Sequence, residues 1–389
     1  MTGLGRRVVA AVAGVMLAAA IAPAPLTARA AGGLEGVPSY QHVFVLIEEN
    51  ESFSSTFGPS SAAHYLNNTL VPAGVLDDHY YATGHVSLDN YIAMTSAQPA
   101  NPETTSDCLS VSLYTCAQTT LAFSSGANIA DQLETAGATW KGYMDSMPSP
   151  CFSQTYSPST ATPDPYQGNS QTPPAKDYAD RHNPFIYYPD IVGNTTRCQA
   201  HVVPYTQLAT DIAGNAVPNY AFITPDTCHD GHDTPTCSDG SAGGLVSADA
   251  WLSANVPPIL SYIKAHDGLL LITFDEGSNT DVSGCCTGGP GGTQGRGGLV
   301  GLVALGPGVK TGQTVHTSYD HASLLRTLED IFGINTYLNN AGATGAVPMT
   351  ALFGGPGTGI PDSPLAVTLP LAGTALVLVG FIRRRRRAP

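Results

Sequence analysis

Three runs of apolar, largely β-branched or aromatic residues constrain this chain most: His42–Ile47 (HVFVLI), Tyr220–Ile223 (YAFI) and Leu269–Phe274 (LLLITF). Runs of that length with no polar face read as buried strands, which need cover on both sides. Amphipathic stretches alternate with them. Asn128–Ala136, Gln207–Ala213, Ala248–Ala265 and His321–Phe332 are expected helices, and Val75–Tyr81, Trp140–Met144 and Leu299–Leu305 further strands. The pattern predicts an α/β fold, a three-layer sandwich whose central sheet is mostly parallel and carries helices on both faces. One domain over 38–345 suffices. The Pro-, Ser- and Thr-rich stretch Ser146–Pro174 reads as a surface excursion, and no internal repeat is visible.

Both ends look like addresses. Arg6 and Arg7 precede the apolar run Val8–Ile21, and Ala28-Arg29-Ala30 offers a small-residue cleavage site, so 1–30 reads as a secretory signal peptide with the Sec and twin-arginine routes both open. After a linker over 346–364, Leu365–Ile382 is nearly continuous apolar sequence, stopped by Arg383 to Arg387. About 18 apolar residues are just enough to cross a hydrocarbon core. The arginines would stay inside, placing the body of the chain outside. Leu365-Ala366-Val367-Thr368 also resembles the start of a sortase motif, with Leu369 in place of its glycine. The expected location is the outer face of a bacterial membrane or cell wall.

Eight of the sixteen basic residues belong to these two ends, which leaves eight against thirty acids, a net charge of about −22 for the body. Such a surface repels nucleic acid backbones. Eight cysteines in an exported chain without a CxxC pair favour disulfides. Cys108 with Cys116, Cys228 with Cys237, and Cys151 with Cys198 are the expected staples, and the adjacent Cys285 and Cys286 stay unassigned.

In an open α/β sheet, ligands bind beyond the carboxyl ends of the strands. HVFVLI runs into Glu48-Glu49-Asn50, LLLITF into Asp275-Glu276, and YAFIT into Asp226 and then His229-Asp230-Gly231-His232-Asp233. One acid after a strand is ordinarily a cap or turn former. Three such ends bearing oxygen ligands or imidazole point to a divalent-metal site. Ser87 reads as the N-cap of a helical run to Thr95, a position that needs no chemistry. The same place sets a hydroxyl where N–H groups and the helix dipole favour a phosphate.

The segments HVFVLIEENESFSSTFG, GHVSLDNYIAMTS, NIADQLETAGATWKGYMDSMPSPC, ITPDTCHDGHD, LLLITFDEG and TSYDHASLLRTLEDIFGI, in that order, resemble the bacterial phosphoesterase family of acid phosphatases and phospholipases C, from about His42 to Ile334. That resemblance implies an alkaline-phosphatase-like fold and a phosphoric ester hydrolase. It implies Glu49, Asn50, Asp275, Glu276 and Asp233 as ligands of a divalent ion, which could be Ca, Mg, Mn, Fe or Zn. It also implies Ser87 as the nucleophile giving a phosphoserine, Asn90, His85 and Asp230 as substrate contacts, and His321 or His232 as proton donor. Many relatives have prolines where Val86 and Asp89 stand, and Glu276 replaces the second aspartate of the acid phosphatases. A phosphate monoester is the expected substrate. A phospholipase C-type phosphodiesterase is the enzymatic alternative, and a non-catalytic surface binding protein the alternative of another class. Oligomeric state is not legible in the sequence.

Overall fold

A computed structural model describes residues 33–102, 104–107, 128–152, 177–232, 237, 240–287 and 296–354. The signal-peptide stretch, the C-terminal apolar tail, Cys108 and Cys116, and Asp233 lie outside these residues. Among those described, no helix is long and apolar enough to cross a membrane.

The strands are β1 (His42–Glu48), β2 (Val75–Asp77), β3 (Tyr80–Tyr81), β4 (Trp140–Met144), β5 (Val202–Pro204), β6 (Tyr220–Thr224), β7 (Gly268–Phe274), β8 (Leu302–Leu305), β9 (Gln313–Val315) and β10 (Tyr319–Asp320). Eight of them form one sheet in the order β5-β4-β6-β1-β7-β8-β2-β9, and β10 pairs with β3 in a second. Only β8 runs against the others in the large sheet. β1 is parallel to both neighbours, and every residue of β1 after His42 is buried. This is why its sequence is continuously apolar rather than alternating.

The helices of seven or more residues are α1 (Ser87–Ser96), α2 (Ile129–Thr135), α3 (Thr195–His201), α4 (Thr206–Ala213), α5 (Leu245–Ala265) and α6 (His321–Ile331). Right-handed crossovers put α4 and α5, which carry the chain in one direction along the sheet, on one face. The return connection through α1, α2 and α3 falls on the other, and α6 packs against α1 there. The expected sandwich of a mostly parallel sheet between helices is therefore present.

Two local expectations change. The run Val75–Tyr81 is not one strand but β2 and β3, in different sheets and separated by Asp78 and His79. Ser87 is the first helical residue and Val86 the N-cap, whose side chain has no acceptor to cap with, and the Ser87 hydroxyl donates to Glu49 instead. Strands β5, β9 and β10 and helix α3 were not foreseen. Cys151–Cys198 and Cys228–Cys237 are disulfides as expected, and Cys285 pairs with its neighbour Cys286.

Candidate active site

β6, β1 and β7 stand side by side and leave the sheet together: Leu46 is level with Ile223, and Glu48 with Phe274. Main-chain bonds lace the loops that follow, from Glu49 N to Asp230 O (2.6 Å) and from Asp275 N to Glu48 O (2.9 Å). Asn50 adopts a left-handed backbone, φ 59°, that asparagine tolerates better than most residues. This turns its amide to donate to Asp275 Oδ1 at 3.0 Å. Gly231 comes so close to β1 that a Cβ there would lie 2.9 Å from the Glu49 carbonyl oxygen, at φ +101°. Glycine is what lets the Asp230–His232 turn lie against the strand end.

Four carboxylates thereby share one buried space: Glu49, Asp230 and Asp275 are 0% exposed and Glu276 4%. Burial pushes the Glu49 and Asp230 carboxyls well above the usual range, and the charge of Asp275 adds to both. Burial also raises Asp275, to about 6, against the N–H donors of Asn50 and Glu276. Glu276 is pushed up to about 11, by burial first and then by Asp275, Asp89 and Asp107. Carboxylates crowded in this way need a cation, or protons, to coexist.

Ser87 opens α1 directly above them. Its Oγ donates to Glu49 Oε2 at 3.1 Å, Asn50 Nδ2 donates to the same oxygen at 3.2 Å, and Tyr91 OH donates to Glu49 Oε1 at 2.5 Å. Asn90 bonds Glu276 Oε2 at 3.1 Å through its amide, and its Oδ1 accepts from Thr83 N (2.8 Å) and Gly84 N (3.0 Å). It therefore fixes the turn before the helix as well as touching the acid cluster.

Two residues absent from the sequence reading stand in this site. Arg181 and His182, 4% and 2% exposed, come from the single 3-10 turn Asp180–His182. His182 lies flat on Tyr91, with ring centroids 5.4 Å apart and 11° between planes. Its Nε2 is 3.2 Å from Glu49 Oε2 and its Nδ1 3.3 Å from Asp230 Oδ2. Burial, then the charges of Arg181 and His232, lower its pKa well below the normal value. These close approaches are therefore not ion pairs of an imidazolium. Neither nitrogen, nor Asp230 Oδ2 or Asp275 Oδ2, is in hydrogen-bonding geometry with a partner among the described residues.

Atoms that bind an ion at about 2.1 Å lie roughly 3.0–3.4 Å from one another at octahedral to tetrahedral angles. One ligand atom from each of Glu49, His182 and Asp230 lies within 4.8 Å of the others, an ion would take one of the two His182 nitrogens, and with the carboxylates drawn in around it the imidazole and the orphaned oxygens suit a divalent ion.

The remaining histidines take different places. His321, 0% exposed, meets the Asp275 carbonyl through Nε2 (2.7 Å) and the Tyr80 hydroxyl through Nδ1 (2.9 Å), and burial lowers it to about 4. Both nitrogens are engaged behind the site, so it braces Asp275 rather than facing the cluster. His85 Nε2 donates to the Asp281 carbonyl at 2.8 Å, tying the turn before Ser87 to the loop after Glu276. His232 Nε2 accepts from Arg181 Nη2 at 3.3 Å, beside the cluster.

The chain is 28% identical over 316 residues to a probable acid phosphatase of Kluyveromyces lactis, which covers 79% of this chain and 62% of that protein. It is 23% identical over 349 residues to a phosphatidylinositol-3-phosphatase of Mycobacterium tuberculosis, 89% of this chain and 93% of that one. It spans 39% of the length of an Aspergillus fumigatus acid phosphatase, at 26% identity. Among solved structures it is similar to an alkaline phosphatase superfamily protein from Vibrio parahaemolyticus (TM-score 0.48, 12% identity, 77% of this chain and 68% of that one). The sequence profile of the phosphoesterase family matches residues 60–335, and the chain belongs to that family.

Proposed function

We propose that this protein hydrolyses phosphate monoesters with Ser87 as the nucleophile, in an exported location. The observation that carries the reading is the Ser87 hydroxyl, at the first position of α1, 3.1 Å from Glu49 in a buried group of carboxylates and imidazole suited to a divalent ion. Glu49, His182, Asp230 and Asp275 would hold the ion, with Asn50 beside them. Once bound, it would act as a Lewis acid toward the phosphoryl group and lower the pKa of the Ser87 hydroxyl.

The chain's own groups supply the rest. Glu49 Oε2 accepts the Ser87 O–H and so orients the oxygen for in-line attack, and the positive end of α1 faces the phosphate that arrives there. Attack forms the Ser87 Oγ–P bond and breaks the bond from phosphorus to the ester oxygen. Water then cleaves the phosphoserine. Arg181, whose Nη1 has no partner among the described residues, is the fork for the phosphoryl oxygens. The Ser87 proton passes to Glu49 Oε2 as the Oγ–P bond forms, the leaving alkoxide takes a proton from water, and His232, whose Nε2 accepts a hydrogen bond and so carries a lone pair, takes a proton from the water that cleaves the phosphoserine. His321 stays a positioning residue.

Export is supported by the signal-like N-terminus and by three disulfides, which persist in oxidising compartments. Display at the outer face through the apolar C-terminal tail rests on the sequence alone. Turnover of p-nitrophenyl phosphate against bis-p-nitrophenyl phosphate tests the activity. Monoester turnover should dominate, be removed by EDTA, and fall by on the order of 10³-fold or more in Ser87→Ala. A preference for the diester would replace the phosphatase reading with the phospholipase C-type one. No turnover of either by a folded, metal-supplied sample would leave a binding protein.

A further inference from the structure

Outside the active site, the described residues contain two more groups of potential ligand atoms: Asp226, Cys228 and His229, and Asp78, His79 and His316. The first loses its thiolate donor, because Cys228 is in a disulfide. The second keeps all three donors and stands on a defined frame.

Segments 75–81 and 313–320 run side by side in parallel through both sheets. Asp77 is level with Val315 where β2 meets β9, and Tyr80 with Tyr319 where β3 meets β10. Main-chain bonds continue through the crossing itself, from Asp78 N to Val315 O and from Tyr319 N to His79 O, each 3.1 Å. Asp78, His79 and His316 sit at this crossing, where both segments pass from one sheet to the other. Asp78 Oδ1 lies 2.5 Å from His79 Nδ1 and 2.8 Å from His316 Nδ1, and Oδ2 lies 2.9 Å from His316 Nδ1. The rings stand nearly perpendicular, 5.9 Å apart. His79 and His316 are 43% and 68% exposed at the side chain, while Asp78 is 22% exposed.

We propose that Asp78, His79 and His316 form a second divalent-metal site, for a zinc-class ion and distinct from the catalytic cluster. Two imidazoles and one carboxylate favour Zn²⁺, Co²⁺, Ni²⁺ or Cu²⁺ over Ca²⁺ or Mg²⁺, which prefer oxygen. Opening the three donors from hydrogen-bonding distance to the roughly 3.0–3.4 Å of shared ligands moves only solvent-facing rings. The backbone beneath is already held, and water can complete the coordination. The ion would clasp β9, an edge strand of the large sheet, to the turn after β2. It would also tie together the segments leading to Tyr80 and His321, the pair that braces Asp275.

Cobalt titration of the EDTA-stripped protein tests this, read by visible absorption and calorimetry, in the wild type, in His79→Ala/His316→Ala and in Glu49→Gln. The wild type should bind cobalt at two classes of site. The double histidine variant should lose one equivalent and keep the other. Glu49→Gln should keep the equivalent that the histidine variant loses, and with it a zinc-dependent rise in melting temperature. Because both histidines are exposed, that variant is expected to fold, and circular dichroism checks it. An unchanged cobalt stoichiometry and affinity in the folded double variant overturns the proposal, whatever becomes of the phosphatase activity.

Discussion

Two groups of acids gather round a single arginine in this molecule, and they end differently. Around Arg197, on the helical side of the sheet, Asp131, Asp190 and Glu134 accept from Nη2, Nη1 and Nε at 2.6, 2.6 and 3.0 Å. The whole fork is used by the chain itself. Around Arg181, four carboxylates are buried, yet its ion pair is a 3.9 Å approach of Nε to Asp107, and Nη1 has no partner among the described residues. The first group closes on itself and is structural. The second is left open, with imidazole and carboxylate atoms unsatisfied around it, and that is the condition a site for an ion and an oxyanion requires.

The largest effect that would break this comparison comes from Arg181. If its fork is held for the phosphoryl oxygens, Arg181→Lys keeps the charge but loses the bidentate geometry. We expect kcat/KM for p-nitrophenyl phosphate to fall by roughly 10²-fold, more than that for the diester, in a protein of unchanged melting temperature. An equal loss for both esters would mean that Arg181 serves the acids and not the substrate.

Removing an acid from each group should move stability in opposite directions. In metal-free protein at pH 8, Asp275→Asn keeps an oxygen for the Asn50 and Glu276 amides while removing the charge that helps to hold Glu49 and Glu276 in their costly protonated forms. Unfolding in urea with EDTA present should show a gain of about 1–3 kcal/mol. A loss would mean that the buried acids are already compensated within the chain.

The open group was half legible in the sequence. Apolar runs that end in acids announce themselves, since a strand buried on both faces has no polar residue until it leaves the sheet. This gave β1, β6, β7, Glu49, Asp275 and Asp230 with nearly correct bounds. Arg181 and His182 were not legible. They sit on one 3-10 turn with no periodicity, and tertiary packing rather than local pattern carries them to Glu49. Ser87 reads in the sequence as the cap of α1, but Val86 holds that position and the Ser87 hydroxyl goes to Glu49, a partner that only the fold supplies. His321 was located, but the residues that occupy its two nitrogens, Tyr80 and Asp275, come from other strands, and only the fold brings them there.

Glu329 offers a third way to settle a buried acid, by keeping its proton. It lies on α6, 0% exposed, accepting from Gln132 Nε2 and Leu338 N through Oε1 while Oε2 has no partner among the described residues. Burial raises it from 4.5 to about 8, against those two donors. The folded chain therefore keeps a proton that the unfolded chain gives up above about pH 4.5. The stability this adds is complete below that value and is lost as pH rises through about 8. Between pH 5 and 8 the unfolding free energy should drop by about 3 kcal/mol more in the wild type than in Glu329→Gln. Parallel pH profiles would show that the carboxyl is ionised and paired after all.

The smallest effect belongs to the closed group, and its smallness is the point. Arg197 is 14% exposed at the side chain, but Glu134 and Asp190 are 41% and 36% exposed, so water and salt screen much of what the short distances promise. Asp190→Asn should cost about 0.5 kcal/mol or less and leave phosphatase turnover unchanged, with the difference shrinking further in 1 M salt. The same mild result is not expected for Glu49, Asp230 or Asp275, because all three are 0% exposed and cannot reach solvent when a partner is lost. A cost above about 2 kcal/mol for Asp190→Asn, or a change in turnover, would erase the distinction between an arginine that holds the fold and one reserved for a ligand.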